Sequence, residues 1–354
     1  MACRRRTSSV TRERWGNSSR PIVVPARGPD PHDPHHRHAA VIVTREIEEL
    51  TPAPGGAVVS IGVFDGVHRG HQAILARNVA TARELAARST VVTFRRHPKR
   101  LLLGRGPRTL TTLDHRLELF RRAGIEHAVA LTFDESLRDM EAEEFAQRIC
   151  VEGLGVRRFV LGFDSKFGRG RRGGAQLLRS SGFEVEVVPK VVVDGRAVSS
   201  TAIRESVELG DLASAERMLG REVAVFGRVV HGQNLGHELG FPTANLDLAH
   251  ELHPPPGVWA TRARLPGRFG ERILPGVTNI GFRPTVSEEP PELPEVEVHL
   301  FDLDEDLYGE WMELSFVARI RGEKRFDGLE SLTAQIRRDV EMARAILARP
   351  PKSH

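Results

Sequence analysis

Two histidines, His68 and His71, flank Gly70 in the run Ile61-Gly-Val-Phe-Asp-Gly-Val-His-Arg-Gly-His71. Imidazoles side by side at a helix start can donate hydrogen bonds to charge that builds on a polyphosphate leaving group. Gly62, Gly66 and Gly70 let the backbone approach a phosphate closely. The plainer reading is a pair of surface histidines beside a turn. Chemistry is favoured by the position of the run, after an expected strand and before an expected helix. Farther on, Ser199, Ser200, Thr201 and Arg204 stand together in Val198-Ser-Ser-Thr-Ala-Ile-Arg204. Hydroxyls and a guanidinium at a helix start suit a phosphate grip.

The second half has its own cluster. Leu239-Gly-Phe-Pro-Thr-Ala-Asn245 follows the glycine-punctuated run Val229-Val-His-Gly-Gln-Asn-Leu-Gly236. The Thr243 hydroxyl and the Asn245 amide oxygen are hard donors of the kind Mg²⁺ takes; a proline-stabilised turn is the alternative. In Val296-Glu-Val-His-Leu300, a carboxylate could remove the proton of an alcohol during phosphoryl transfer. Glu295, Glu297 and His299 share one face by period-2 alternation, so the pattern alone does not choose between the two glutamates.

These residues need elements to hold them. Ala57–Val63, Thr90–Phe94, Ala128–Phe133, Arg158–Phe163 and Glu184–Val188 read as strands. His71–Arg88, Arg116–Ala123 and Glu143–Gly153 read as helices between them, which predicts a parallel sheet with crossovers. After about residue 220 the texture changes to strands with few helices: Glu222–Val230, Val258–Arg264, Gly276–Ile280, Glu295–Phe301 and Trp311–Ile320. That predicts an antiparallel barrel or sandwich. Proline-rich loops, His253–Gly257 and Glu289–Pro294, separate some of these strands. A short helix, Asp211–Leu219, ends at Gly220. A last helix, Gly328–Ala348, carries Leu329, Leu332, Ile336, Val340, Ala343 and Leu347 on one face. Asp327 and Glu330 suit a capping box at its start.

The 354 residues are enough for two cores. No apolar run reaches the roughly 18 residues of a membrane-spanning helix. Two cysteines, Cys3 and Cys150, exclude a disulfide framework and a cysteine zinc site, and fit a cytoplasmic protein. The net charge of +4 suggests nucleic acid, but eight arginines against three acids in residues 1–40 account for it, leaving the remainder near −1. Those 40 residues read as a disordered basic tail. Its His32, His35, His36 and His38 could chelate a metal, although a solvated polar tail is the plainer reading.

The first motif, with its G-x-F-D-G prefix, resembles the HxGH nucleotidylyltransferases, and within them the flavin adenylyltransferase module of bacterial riboflavin kinase/FAD synthetases. Gly162-Phe-Asp-Ser-Lys-Phe-Gly168 resembles that family's G-x-D/N-x-x-F-G segment, and Val198–Arg204 its I-S-S-T-x-I-R motif. Leu239–Asn245 resembles the riboflavin kinase G-F-P-T-A-N signature. Pro256-Gly-Val-Trp-Ala260, Thr278–Thr285, Leu307-Tyr-Gly309 and Arg321-Gly-Glu-Lys-Arg-Phe326 follow in the family's order, with Trp259 where a tyrosine is usual. One departure stands out. Thr93-Phe-Arg-Arg-His-Pro98 has Arg95 and Arg96 where the family has an acid and a proline.

The resemblance implies an HxGH Rossmann-like domain at 41–205, a linker at 206–221, and a riboflavin kinase domain at 222–348. The kinase domain would be a six-stranded barrel with a C-terminal helix, followed by a tail at 349–354. It implies phosphorylation of riboflavin to FMN and adenylylation of FMN to FAD, with ATP and Mg²⁺. His68, His71 and Glu297 would be catalytic. Gly62, Phe64, Asp65, Gly70, Ser199, Ser200, Thr201, Arg204, Gly236, His237, Thr243 and Tyr308 would hold ATP or its phosphates. Asp164, Arg321, Lys324 and Phe326 would hold flavin, and Thr243 and Asn245 the metal. The expected partners are these small molecules, without membrane or nucleic acid, and with a homo-oligomer open. Two alternatives compete: a kinase whose first half is inert, and a flavin- or nucleotide-sensing protein that binds nucleic acid through its tail.

Overall fold

In the computed structural model the described residues are 40–98, 101, 106–231, 240–248, 251–281 and 295–348. The basic tail with its histidines, the C-terminal tail, Gly236, His237 and the loop at 289–294 lie outside them.

The first half is a six-stranded parallel sheet. Its strands are β1 (Ile42–Thr44), β2 (Ala57–Ile61), β3 (Arg88–Phe94), β4 (His127–Leu131), β5 (Val156–Gly162) and β6 (Val185–Val188), in the order β1-β4-β3-β2-β5-β6. Strands buried on both faces read as nearly unbroken apolar runs, and AVVSI of β2 and HAVAL of β4 are buried throughout. Alternation divides them between two cores. Ala57, Val59 and Ile61 face a core with Phe145, Phe159 and Leu178, while Val58 faces one with Leu75, Phe120 and Val160.

The connecting helices include α1 (Arg69–Glu84), α2 (Leu113–Arg122), α3 (Glu135–Asp139), α4 (Ala142–Phe145, continuing as a π-helix through Gly153) and α5 (Ala175–Ser180). From β2 the chain proceeds to β3 on one side, and from β5 to β6 on the other. The carboxyl ends of β2 and β5 therefore flank a topological switch point, where such sheets bind ligands.

Two expectations need correction here. β1 was not among the expected strands; three residues are too few to show a period. Helix α1 begins two residues before His71, because His68 is its N-cap, and stops at Glu84. Ala86 turns left-handed (φ 48°), and Arg88 already belongs to β3, so the expected helix end is a strand start.

Helices α6 (Ser200–Glu208) and α7 (Leu212–Leu219) lead into the second half. Asp211 caps α7 through its side chain, and Gly220 ends it with φ 72°. Ile203, Val207, Leu212, Ala215, Met218 and Leu219 join the core of the barrel, so residues across the expected linker are packed.

The barrel is closed and antiparallel, in the order β10-β13-β12-β11-β14-β9. Its strands are β9 (Val223–Val230), β10 (Ala244–Asp247), β11 (Gly257–Arg264), β12 (Leu274–Gly281), β13 (Glu295–Leu300) and β14 (Trp311–Arg321). Five match expected strands; β10 begins at the end of the G-F-P-T-A-N segment and was not among them. Helix α8 (Leu329–Leu347) packs Val340, Ala343, Ile346 and Leu347 against Val258, Ala260, Val277 and Phe301. Its expected capping box does not form. Gly328 is the N-cap, no side chain caps the helix, and Leu329 is exposed rather than on the buried face.

Candidate functional sites

The loop from β2 to α1 is bent by three left-handed residues, Phe64 (φ 53°), Gly66 (φ 83°) and Val67 (φ 37°). Such backbone costs about 1–2 kcal/mol per non-glycine residue and needs support. Phe64 supplies some, buried edge-on against His71 and Phe120. Asp65, 3% exposed, supplies more. Its Oδ1 accepts the backbone N–H groups of Leu110 (2.9 Å) and Thr111 (3.1 Å), and its Oδ2 accepts Arg204 Nη2 (2.5 Å). Arg204 also donates to the Arg108 carbonyl, and the Ser200 hydroxyl donates to the Asp65 carbonyl. Asp65, Ser200 and Arg204 thus brace the loop in this structure. Ser199 caps α6 by accepting the Ala202 N–H, and Thr201 beside it is exposed.

The loop delivers the two histidines to the start of α1. His68 Nδ1 accepts the His71 N–H at 3.4 Å, and the rings stack with centroids 3.6 Å apart. That bond leaves the His68 proton on Nε2 in the neutral ring. Gly70 makes room: a Cβ there would lie 3.3 Å from the His68 ring. Burial, and then the Arg221 guanidinium, lower the His68 pKa to about 4. His71 is held well below the ordinary range by burial, then by His68, Arg116 and Arg221. Its buried Nδ1 has no partner among the described residues. At neutral pH the pair is therefore uncharged beside two buried guanidinium groups.

Neither Arg116 nor Arg221 was among the expected site residues. Arg116 on α2 donates to the Val63 carbonyl (2.7 Å), the Phe94 carbonyl (2.8 Å) and Thr93 Oγ1 (3.0 Å), tying the ends of β2 and β3 together. Arg221 donates to the carbonyls of Gly66 (2.8 Å) and Val67 (3.1 Å). No spacing in the sequence marks either one, because each acts on backbone far away in the chain.

Across the switch point, the end of β5 presents Phe163, 55% exposed, and Asp164, also exposed. Gly162 N–H donates to Ser165 Oγ (3.0 Å), which curls the strand end. Past β3, Arg95 and Arg96 are exposed around a cleft of about 420 Å³ with His97, Thr132 and Phe133. Arg95 reaches Thr132 Oγ1 at 3.4 Å.

The barrel brings together what the sequence separates by fifty residues. In β10–β13 pairing, Asn245 stands directly opposite Glu297, and Asn279 of β12 stands opposite Glu297 on the other side. Directly opposed residues share a face, so these three side chains emerge together while Leu246, Val296 and Val298 fill the core. Glu295 and His299 lie along the same face; His299 Nδ1 is 2.8 Å from the Pro242 carbonyl oxygen, which holds its ring beside the segment leading into β10. A hollow of about 200 Å³ includes His231, Asn245, Asp247, Glu251, His253 and Glu295 in its lining. Tyr308 stacks on His231 at 3.7 Å.

At the end of β14, Arg321 makes a two-pronged ion pair with buried Asp339 of α8, Nη2 to Oδ2 at 2.8 Å. Arg321 and Lys324 also lie over the Phe326 ring, 5.6 and 5.8 Å from its centroid. Trp259 is in the barrel core, 2% exposed, with its indole N–H donating to the Pro255 carbonyl. The residue that departs from the usual tyrosine is therefore a core residue of the barrel in this structure.

Oxygen donors suit Mg²⁺; Asn245 carries one on the face of Glu297, and the Thr243 hydroxyl lies two residues before it in the chain. Among the described residues no cluster of three His, Cys, Asp or Glu forms a complete protein site. Mg²⁺ commonly keeps water and takes substrate phosphates, so a partial donor set fits a metal that arrives with ATP.

Comparison with known proteins agrees with both halves. Residues 50–202 match the FAD synthetase family model and residues 219–347 the riboflavin kinase family model. A bifunctional riboflavin kinase/FMN adenylyltransferase from Pseudomonas fluorescens is 40% identical over 322 residues, covering 88% of this chain and 99% of that protein. The protein of the same name from Escherichia coli (strain K12) is 38% identical, covering 85% and 96%. A solved structure described as a macrolide-efflux protein from Streptococcus pneumoniae superposes with a TM-score of 0.72 at 28% identity, covering 86% of this chain and 99% of that one. Among the described residues here, no helix is long and apolar enough to cross a membrane.

Proposed function

The chain belongs to the bifunctional riboflavin kinase/FMN adenylyltransferase family, and from that premise we infer how its two halves divide the work. The barrel transfers the γ-phosphoryl group of ATP to the 5′-hydroxyl of riboflavin, giving FMN and ADP. The sheet domain joins FMN to the AMP portion of a second ATP, giving FAD and pyrophosphate. The first half ends near residue 202 and the second begins near residue 219, where the two matched regions stop and start. The observation that carries this reading is coverage: the chain spans 99% of its Pseudomonas relative, and both family models match it in turn.

In the barrel, Glu297 accepts the proton of the riboflavin hydroxyl as the oxygen attacks phosphorus. Thr243 and Asn245 hold Mg²⁺, which neutralises phosphate charge when bound. Gly236, His237 and Tyr308 hold ATP. Arg321, Lys324 and Phe326 form the flavin side, with Asp339 keeping Arg321 against the barrel.

In the sheet domain, an ionised FMN phosphate oxygen attacks the α-phosphorus, and the bond to pyrophosphate breaks. No protein nucleophile is needed. His68 donates from Nε2 to the phosphates as charge moves onto the leaving group, with His71 beside it and Gly62, Phe64 and Gly70 shaping the phosphate approach. Asp164 marks the flavin side across the crevice.

An inert first half is disfavoured by the intact histidine loop and its supports. Arg95 and Arg96 stand at the mouth of a neighbouring cleft, one strand away from the histidine strand. Chromatography of flavins after incubation with ATP and Mg²⁺, starting once from riboflavin and once from FMN, tests the reading. FAD from both starts is the expected result. FMN without FAD would support the inert-half alternative, and no conversion would sink both.

A further inference from the structure

The loop that carries the histidines is held by a residue from the other half of the chain. Arg221 lies past the Gly220 helix stop, inside the region matched to riboflavin kinase and outside the one matched to FAD synthetase. Its guanidinium crosses to the sheet domain and donates to the carbonyls of Gly66 and Val67, the two left-handed residues directly before His68. Gln72 of α1 returns the contact, donating to Val67 and to the Leu219 carbonyl (2.7 Å), two residues before Arg221. The two halves are latched to each other at the histidine loop.

A buried guanidinium is costly unless its donors and its charge are matched. Two donors are spent on the loop, while Arg221 Nε has no partner among the described residues. Its charge is offset by Glu313 of β14 and by Glu251, both buried in the barrel half. Glu313 in turn pairs with Arg122 of α2 (2.8 Å), and Glu251 with His115 of α2 (2.7 Å). The charged groups facing the histidines are thus Arg116 of α2 and Arg221, with Arg69 of α1 lying against Gly220. Asp65 is already committed to Leu110, Thr111 and Arg204.

We propose that Arg221, supplied by the kinase half, is a positioning residue for adenylyl transfer: it fixes the Gly66–Val67 turn and through it the geometry of the His68–His71 pair. The proposal rests on the adenylyltransferase reading above. It makes the sheet domain's active site incomplete without the first residues of the barrel domain, although Arg221 touches no substrate.

The test uses the full chain with Arg221→Met and Arg221→Lys, measuring both reactions and the pH profile of FAD formation from FMN. In Arg221→Met, kcat for FAD formation falls about a hundredfold, the scale of a misplaced catalytic group, and KM for FMN stays within about twofold. The acid limb of that profile moves to higher pH, because losing a neighbouring positive charge lets His68 protonate more easily. Arg221→Lys keeps the charge without the fork and recovers part of the rate and the original pH limb. Riboflavin phosphorylation by the same preparations reports that the chain is folded.

Wild-type kcat and pH profile in Arg221→Met would overturn the proposal. So would loss of both activities together, which marks a folding role, or a change confined to KM for FMN, which marks a substrate contact. A wild-type chain that makes no FAD overturns both this proposal and the reading it rests on. An active wild type beside an equally active Arg221→Met overturns this one alone.

Discussion

The proposed function gives Glu297 and His68 different chemistry, so each can be tested by substitution in its own half. Glu297→Gln should lower riboflavin phosphorylation by about a hundredfold or more, the usual worth of a general base, and leave FAD formation from FMN intact. Glu295→Gln should change the same rate by only a few-fold, which decides between the two carboxylates that alternation left equal. Steady-state assays of both reactions on each variant check this. For His68 the sign of the pH effect is fixed by the direction of its shift. Its pKa is lowered from 6.5 to about 4, so the ring stays neutral well into acid and its Nδ1 keeps the cap on α1. The acid limb of FAD formation due to this group should therefore lie near pH 4, not at 6.5. The same shift has a stability counterpart. An unfolded chain takes up a proton below about 6.5 that the fold refuses, so stability is whole above that pH and is lost as pH falls toward 4. His127, lowered to about 4 by burial and then Arg88, adds to the same loss.

At the scale of elements, the position of α1 depends on a residue without a side chain. Gly70→Ala would place a Cβ 3.3 Å from the His68 ring, which must then give by a few tenths of an ångström. FAD formation should fall about tenfold, a part of what misplacing a catalytic group by an ångström costs, while FMN formation is unchanged; kinetics of the two reactions in one preparation would show it. This site was legible in the sequence because its chemistry is local: strand, glycine-rich turn, histidines and helix follow one another within fifteen residues. The parallel sheet and five of the barrel strands were legible for the same reason, since their apolar runs are continuous or alternate. What escaped was short or non-local. β1 and β10 have three and four residues, too few for a period. The capping box at Asp327 had the right letters, but the chain enters α8 through Gly328 in an extended conformation (φ 170°) that puts no side chain on the cap. Arg116 and Arg221 act on carbonyls 53 and 155 positions away, a relation that no spacing rule encodes.

At the scale of the whole molecule, the halves are joined by more than the chain that connects them. His115, fully buried, lies between Glu251 and Glu313, and Arg122 reaches Glu313 with a single nitrogen at 2.8 and 2.9 Å from the two carboxylate oxygens. His115 has its pKa raised: burial acts to lower it and is outweighed by Glu251 and then Glu313. The Glu313 carboxyl is held below the usual range: burial acts to raise it and is outweighed by His115 and Arg122. Glu313→Gln would leave Arg122 and His115 short of a buried partner, at a cost of about 3–5 kcal/mol. Calorimetry should then show one unfolding transition for the wild type and two for Glu313→Gln, with the barrel and the sheet domain melting apart. One merged transition at the wild-type temperature would show that the network does not join them.

The claim that one chain carries out two different transfers from ATP is tested most directly by labelling. The protein is incubated with riboflavin, Mg²⁺ and ATP carrying ³²P in either the γ or the α position, and the flavins are separated. The account predicts γ label in both FMN and FAD, and α label in FAD only. Label from the α position in FMN, or FAD without it, would contradict the account.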